Sequence, residues 1–264
     1  ASHHPRTWPE AIPDRRHRAG NRARASPLNM IACSVSSVSA VPEGDEWLGP
    51  RERVVQAKLT LPKRRSEWRL GRFVAKQLLG SVTGVVDLDR IQIIAAEDGA
   101  PEGFLDDQPL PVSLSITHRS GVGACAATED ARVGCDLEAI EPRTQRFVDD
   151  FFTSLERASV SKTRDSLRDR HIALTWSAKE SALKVLRAGL RRDTRNVQVD
   201  IDDPAAVGDG WHGLTTSVSP EGKTLSGWWR QDRDVVLTLV CDDPSRRIAM
   251  RDASPATRPS GRPR

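Results

Sequence analysis

The chain has 264 residues and a mass of 29.1 kDa, with 38% hydrophobic content, enough for a buried core in one large domain or two small ones. Its net charge of +4 is unevenly spread: residues 1–26 carry six Arg against two acids, and residues 244–264 carry six Arg against one. The stretch between is therefore net acidic, which argues against a nucleic-acid partner, and no apolar run approaches the ~20 residues that cross a bilayer. With no signal peptide at its start, the chain reads as soluble and cytoplasmic. Cys33, Cys125, Cys135 and Cys241 stand apart without a CxxC pair, so they are expected to be small buried thiols rather than zinc or disulfide partners.

Residues 1–27 are rich in Arg, His, Pro and Ala without an apolar period and are expected to form a disordered leader. The residues from 31 to 40 read as a strand, those from 45 to 61 as a helix that stops at Pro62, and those from 66 to 79 as a helix capped by Gly80. Strands follow at 91–95, 114–116, 122–127 and 133–137. Glu129 and Asp130 form the turn of a hairpin between the last two. Helices are expected at 146–152, 155–161 and 168 to about 189, then strands at 197–201, 213–218, 225–229 and 235–240. Helix and antiparallel strand alternate in both halves, which implies an α+β fold, with lobes at 28–133 and 134–243 and a disordered tail at 244–264.

Four segments could carry chemistry. In Val133-Gly-Cys-Asp136-Leu-Glu138 the two acids share one face of a strand; they either meet water at a strand end or hold a hard cation such as Mg²⁺. The helix containing Trp176-Ser-Ala-Lys179-Glu180-Ser-Ala-Leu-Lys184 puts Glu180 and Lys184 together on one flank, where they could equally be a surface ion pair. Lys179 falls within the apolar arc of that helix, as an inward-facing functional cation would. His118 ends the strand Leu114-Ser-Ile-Thr117-His118. Lys63, Arg64, Arg65, Arg69 and Arg72 form a basic stripe able to hold phosphates or to be solvated.

In order along the chain, SITH (115–118), VGCDLE (133–138) and WSAKESALK (176–184), closed by Ala188-Gly189-Leu190, resemble the signature of the 4′-phosphopantetheinyl transferases. The likeness spans roughly residues 30–242, and PKRRSEWRLGRFVAK (62–76) is similar to that family's basic helix. It is closest to the larger monomeric type that primes polyketide, peptide and siderophore synthases. The resemblance implies two pseudo-symmetric α+β lobes with coenzyme A in the cleft between them, Mg²⁺ as cofactor, and an apo acyl or peptidyl carrier protein as partner. It makes Asp136, Glu138 and Glu180 the magnesium ligands, with Glu180, Lys184 and His118 catalytic. Lys184 would reach the pyrophosphate, Thr117, His118 and Lys179 the phosphates, and Arg64 and Arg72 the 3′-phosphate. Glu156 resembles an acid near the metal. At Glu97-Asp98-Gly99-Ala100-Pro101 the family often has a basic residue near the Gly, and here the neighbours are acidic or Ala; Arg64, Arg65 and Arg69 are candidates to compensate. Arg187, Arg191 and Arg192 would form a basic rim for an acidic carrier. A catalytically inactive module that binds carrier protein and coenzyme A is the alternative.

Overall fold

The computed structural model describes residues 30–251 except 207 and 209. The expected leader at 1–27 and the end of the tail lie outside the described residues. In order, the main elements are β1 (Ile31–Ser37), α1 (Pro50–Ala57), α2 (Pro62–Thr83), β2 (Ile91–Ala95), β3 (Pro101–Leu105), β4 (Gln108–Pro109), β5 (Ser113–Arg119), β6 (Val122–Thr128) and β7 (Val133–Ala139). There follow α3 (Gln145–Phe151), α4 (Ser154–Lys162), α5 (Asp165–Val185), β8 (Val197–Ile201), β9 (His212–Val218), β10 (Lys223–Asp232), β11 (Val235–Cys241) and β12 (Ile248–Met250). The fold is α+β, and no helix among the described residues is long and apolar enough to cross a membrane.

Two sheets face each other between two long helices. One has the order β12-β1-β6-β5, the other β7-β11-β10-β9-β8, and β2-β3-β4 form a small third sheet. Val74, Leu78 and Leu79 of α2 pack on Ala32, Leu114 and Cys125 of the first sheet. Its other face, with Ile31, Cys33 and Ala124, meets Cys135, Leu137, Leu237 and Leu239 of the second. Beyond the second sheet lies α5, through Leu174, Ala178, Ala182 and Leu183. All four cysteines are buried free thiols.

Several expectations are corrected. Pro62 starts α2 instead of stopping the preceding helix, since proline at N1 lacks only an N–H that would have no partner there. The helix is closed by Gly84 at φ 77, one turn beyond Gly80, which lies inside it because a Cβ there would stand 2.7 Å from Val85 O. β6 and β7 are not a hairpin. β6 pairs with β1 and β5, whereas β7 pairs with β11 in the other sheet. The expected tail from 244 contains β12, which pairs in parallel with the start of β1, Ile31 opposite Ile248 and Cys33 opposite Met250. Ile31, Ala32 and Cys33 are fully buried, and Ile248 and Met250 extend the apolar layer between the sheets.

A buried Lys–Glu pair recurs in the two halves. In the first, Glu52 at N3 of α1 accepts from Gly49 N at 3.0 Å and Ile93 N of β2 at 2.9 Å, and pairs with Lys76 of α2. In the second, Glu156 at N3 of α4 accepts from Thr153 N and Val199 N of β8, both at 2.7 Å, and pairs with Lys179 of α5 at 2.8 Å. Each glutamate thus ties a short helix, a strand and a long helix together.

Candidate active site

The site is built where α5 crosses β7. Alternation along β7 sends Val133, Cys135 and Leu137 into the layer between the sheets and turns Gly134, Asp136 and Glu138 toward α5. The helix can come this close because the residues between are small: a Cβ on Gly134 would lie 1.9 Å from Ser181 O. Ser177 Oγ donates to Asp136 O at 3.1 Å, and the Ser177 and Ser181 hydroxyls meet Thr238 Oγ1 of β11 at 2.9 and 2.7 Å. The free edge of β7 is also closed. Val133, Cys135 and Leu137 N–H groups donate to the hydroxyls of Ser113, Ser115 and Thr117 on β5 at 3.2, 2.9 and 3.1 Å.

On that seam the stripe Trp176, Glu180, Lys184 of α5, spaced at i, i+4 and i+8, runs antiparallel to Glu138 and Asp136. Lys184 Nζ donates to Cys135 O at 2.8 Å and Asp136 Oδ1 at 2.9 Å. Loss of hydration, the largest single effect, pulls the Lys184 pKa down, but Asp136, Cys135 and Glu180 together outweigh it and raise the value. At the other end Trp176 Nε1 donates to Glu138 Oε1 at 3.1 Å, its indole packed against Phe147 and Phe151 at ring separations of 5.1 Å. Arg143 lies 3.4 Å and Arg119 3.8 Å from Glu138 Oε2. Of these holders of Glu138, Trp176 lies in the helix motif, whereas nothing in the periodicity of the sequence assigns Arg119, at the end of β5, or Arg143 to this acid.

Among the described residues no hydrogen bond or ion pair engages the Glu180 carboxylate. Burial and then the neighbouring Asp136 charge push the pKa of Glu138 up, and the same two causes, in the same order, raise that of Glu180. Asp136 Oδ2 is buried with no hydrogen-bond partner. Three acids that repel one another, one with an orphaned oxygen, fit a hard divalent cation. Among the described residues no group of three or more His, Cys, Asp or Glu is so placed that it could hold a metal ion by itself. Mg²⁺ does not need one, since it keeps waters and commonly takes one or two carboxylates with substrate phosphates.

These shifts make a prediction. The ordinary glutamate value is 4.5, and in the folded chain Glu138 and Glu180 titrate above it. Between the two values the folded state binds more protons than the unfolded, so the stability contributed by this pair falls as pH rises through the folded pKa. In EDTA the melting temperature should carry that decline on the alkaline side of pH 4.5, and millimolar Mg²⁺ should relieve it. A metal-independent melting profile counts against the site.

Other expected site residues are placed differently. Lys179 is fully buried; besides Glu156 its Nζ reaches Thr194 O at 3.0 Å and Val197 O, so it has no path to a phosphate. Glu156, with both oxygens engaged there, is not a metal ligand. Thr117 is buried, accepts from Leu137 N and donates to Asp136 Oδ1 at 3.2 Å, so it positions Asp136 and has no hydroxyl proton left for a nucleotide. His118 is at the surface, near Glu67, Lys184 and Asp136; the protein around its imidazole lowers its pKa and favours the neutral ring. Arg69 is committed to Asp45 and to the carbonyls of Glu43 and Gly44, at 3.1 and 2.7 Å, and cannot compensate for Ala100. Arg64 is exposed. Arg72 stacks on Trp68 at 4.9 Å with its buried Nε lacking a partner.

A cavity of about 620 Å³ opens beside the seam, lined by Asp98 to Phe104, Pro109 to Ile116, Arg132, Val133, Lys184, Val185, Arg187 and Gly189. Neither Arg64 nor Arg72 lines it. Of the expected basic rim, Arg187 pairs with Asp98 at 2.6 Å and Arg192 pairs with Glu221, so acids already offset part of its charge.

Lys184 lines the cavity, and Asp136, Glu138 and Glu180 stand along the seam beside it, a charge arrangement that suits a phosphorylated ligand. Residues 132–240, which contain all four, match the family model of the 4′-phosphopantetheinyl transferase superfamily. No curated protein matches the sequence closely enough to refine that assignment.

Proposed function

We propose that the chain transfers the 4′-phosphopantetheine group of coenzyme A to a serine of an apo acyl or peptidyl carrier protein, with Mg²⁺ as cofactor and 3′,5′-ADP released. The observation that carries this is the seam itself: Lys184, which lines the cavity, is bonded to Asp136, with Glu138 and Glu180 alongside on the seam. The serine Oγ forms a bond to the β-phosphorus, and the bond from that phosphorus to the bridging oxygen breaks. The 3′,5′-ADP leaves with the bridging oxygen.

Asp136, Glu138 and Glu180 would hold the cation, which when bound supplies charge neutralisation at the diphosphate. Lys184, raised in pKa and therefore protonated, binds a diphosphate oxygen while Asp136 keeps it aimed. Glu180 takes the serine proton. No protein donor competes for its oxygens among the described residues. His118, neutral and at the surface beside Lys184, is available to donate a hydrogen bond to the nucleotide side of the diphosphate. Thr117, Trp176, Arg119 and Arg143 hold the acids in place.

Intact-mass spectrometry of an apo carrier protein incubated with the chain, coenzyme A and Mg²⁺ tests this. The carrier should gain about 340 Da, and EDTA should prevent the gain. Coenzyme A binding without any gain across several carriers would favour the inactive binding module instead.

A further inference from the structure

Arg187 stands at the mouth of the cavity, three residues beyond Lys184 on the same side of the helix end, and both side chains line it. Its backbone is unusual. At the end of α5, Ala188 N donates to Leu183 O and Arg187 N to Lys184 O, both at 3.1 Å, the bonding of a Schellman motif, and Arg187 has φ 52. This is the position where glycine is favoured, because any side chain is strained in the left-handed region. An arginine in that conformation carries backbone strain, so its side-chain contacts are the place to look for an offsetting role.

That side chain is held in a fork. Nε donates to Asp98 Oδ2 at 2.6 Å and Nη2 to Asp98 Oδ1 at 2.8 Å, while Glu102 lies 3.6 Å from Nη2. Asp98 and Glu102 also line the cavity, and Ala100 between them brings no charge. The Arg187 fork drives the Asp98 pKa down to about 2, so the pair stays ionised at any working pH. A planar fork that fits a carboxylate also fits the oxygens of a phosphate.

We propose that Arg187 is a ligand-binding residue for a phosphomonoester at the cavity mouth, with Asp98 as the counter-ion that the phosphate displaces. This rests on the coenzyme A reading: with the diphosphate at Lys184, the phosphate left to be met is the monoester on the ribose. It also answers the acidic sequence around Gly99. The cation absent from that turn is delivered by the end of α5, and Asp98 sets how readily it is released.

Titration calorimetry of the full chain with coenzyme A and with dephospho-coenzyme A, which lacks that monoester, tests the assignment. Arg187→Gly should weaken coenzyme A binding by about tenfold or more and leave dephospho-coenzyme A nearly unchanged, because only one charge-assisted fork is lost. Arg187→Lys should fall between, and Asp98→Asn should tighten coenzyme A alone. Glycine is the residue this helix end favours, and the ratio of the two affinities is read on folded protein, so a change in stability does not mimic the result. An unchanged ratio in Arg187→Gly, with coenzyme A still bound by the parent chain, overturns the role of Arg187 only. Failure of the parent chain to bind either ligand overturns the transferase reading and this inference with it.

Discussion

Replacing Lys179 by Met is expected to lower the melting temperature by about 10 °C while leaving the coenzyme A affinity of the folded protein unchanged. Lys179 lies in the segment that matches the family model, next to Glu180, yet its amine points away from the cavity into a pocket closed by Glu156, Thr194 O and Val197 O. Burial lowers its pKa, and Glu156 pulls in the opposite direction. Removing the lysine strands a buried carboxylate and takes a donor away from Thr194 O and Val197 O, and breaking such a pair costs about 3–5 kcal/mol. For a chain of this size each kcal/mol shifts the midpoint by roughly 2–4 °C.

The double variant Lys179→Met with Glu156→Gln should recover part of the loss, since it removes the stranded charge while Gln can still accept from a backbone N–H. Thermal melting together with coenzyme A titration separates the two possible roles. An unaltered melting temperature with weakened coenzyme A binding would return Lys179 to the phosphates.

Lys179 also shows what a linear pattern can reveal. Helical spacing put it on the inward face, and it is there; spacing does not say which residue waits inside. Its partner Glu156 is tied to α4 and to Val199 by contacts that no period encodes. Asp136 and Glu138 were legible as a same-face pair because strand alternation is local. The sheet to which their strand belongs was not, since β7 finds β11 about a hundred residues later, with Glu138 opposite Val236. Glu129 and Asp130 do lie between β6 and β7, but a turn between two strands does not oblige them to pair.

The resemblance makes Thr117 a phosphate contact; only the crossing of β5 over the edge of β7 shows that its hydroxyl belongs to Leu137 and Asp136. β12 escaped notice because three apolar residues within an Arg- and Ser-rich end are too short to show a period. Arg187 left one readable sign, a non-glycine residue just past a helix end, and its meaning depended on Asp98 across the cavity.

Glu180→Gln is expected to reduce carrier modification by about 10²–10⁴-fold and to make the metal-free protein more stable. Both effects come from one cause. In the absence of a cation Glu180 is held beside Asp136 and Glu138; Arg119 and Arg143 offset Glu138, and Lys184, which eases the charge on Glu180, is already bonded to Asp136. Glutamine keeps the shape and removes one of the repelling charges, so melting in EDTA should shift upward. The same variant loses the base that takes the serine proton and one of the groups proposed to hold Mg²⁺. The rise in melting temperature that the parent chain should show on adding Mg²⁺ should therefore shrink. Asp136→Asn should match the loss of transfer without the gain in stability, because Asp136 also anchors Lys184 and accepts from Thr117. Melting each variant with and without Mg²⁺, beside the carrier-mass assay, checks all three effects. If Glu180→Gln instead melts lower in EDTA, the three carboxylates are not under mutual repulsion, and the electrostatic argument for a cation at this seam fails whatever happens to the activity.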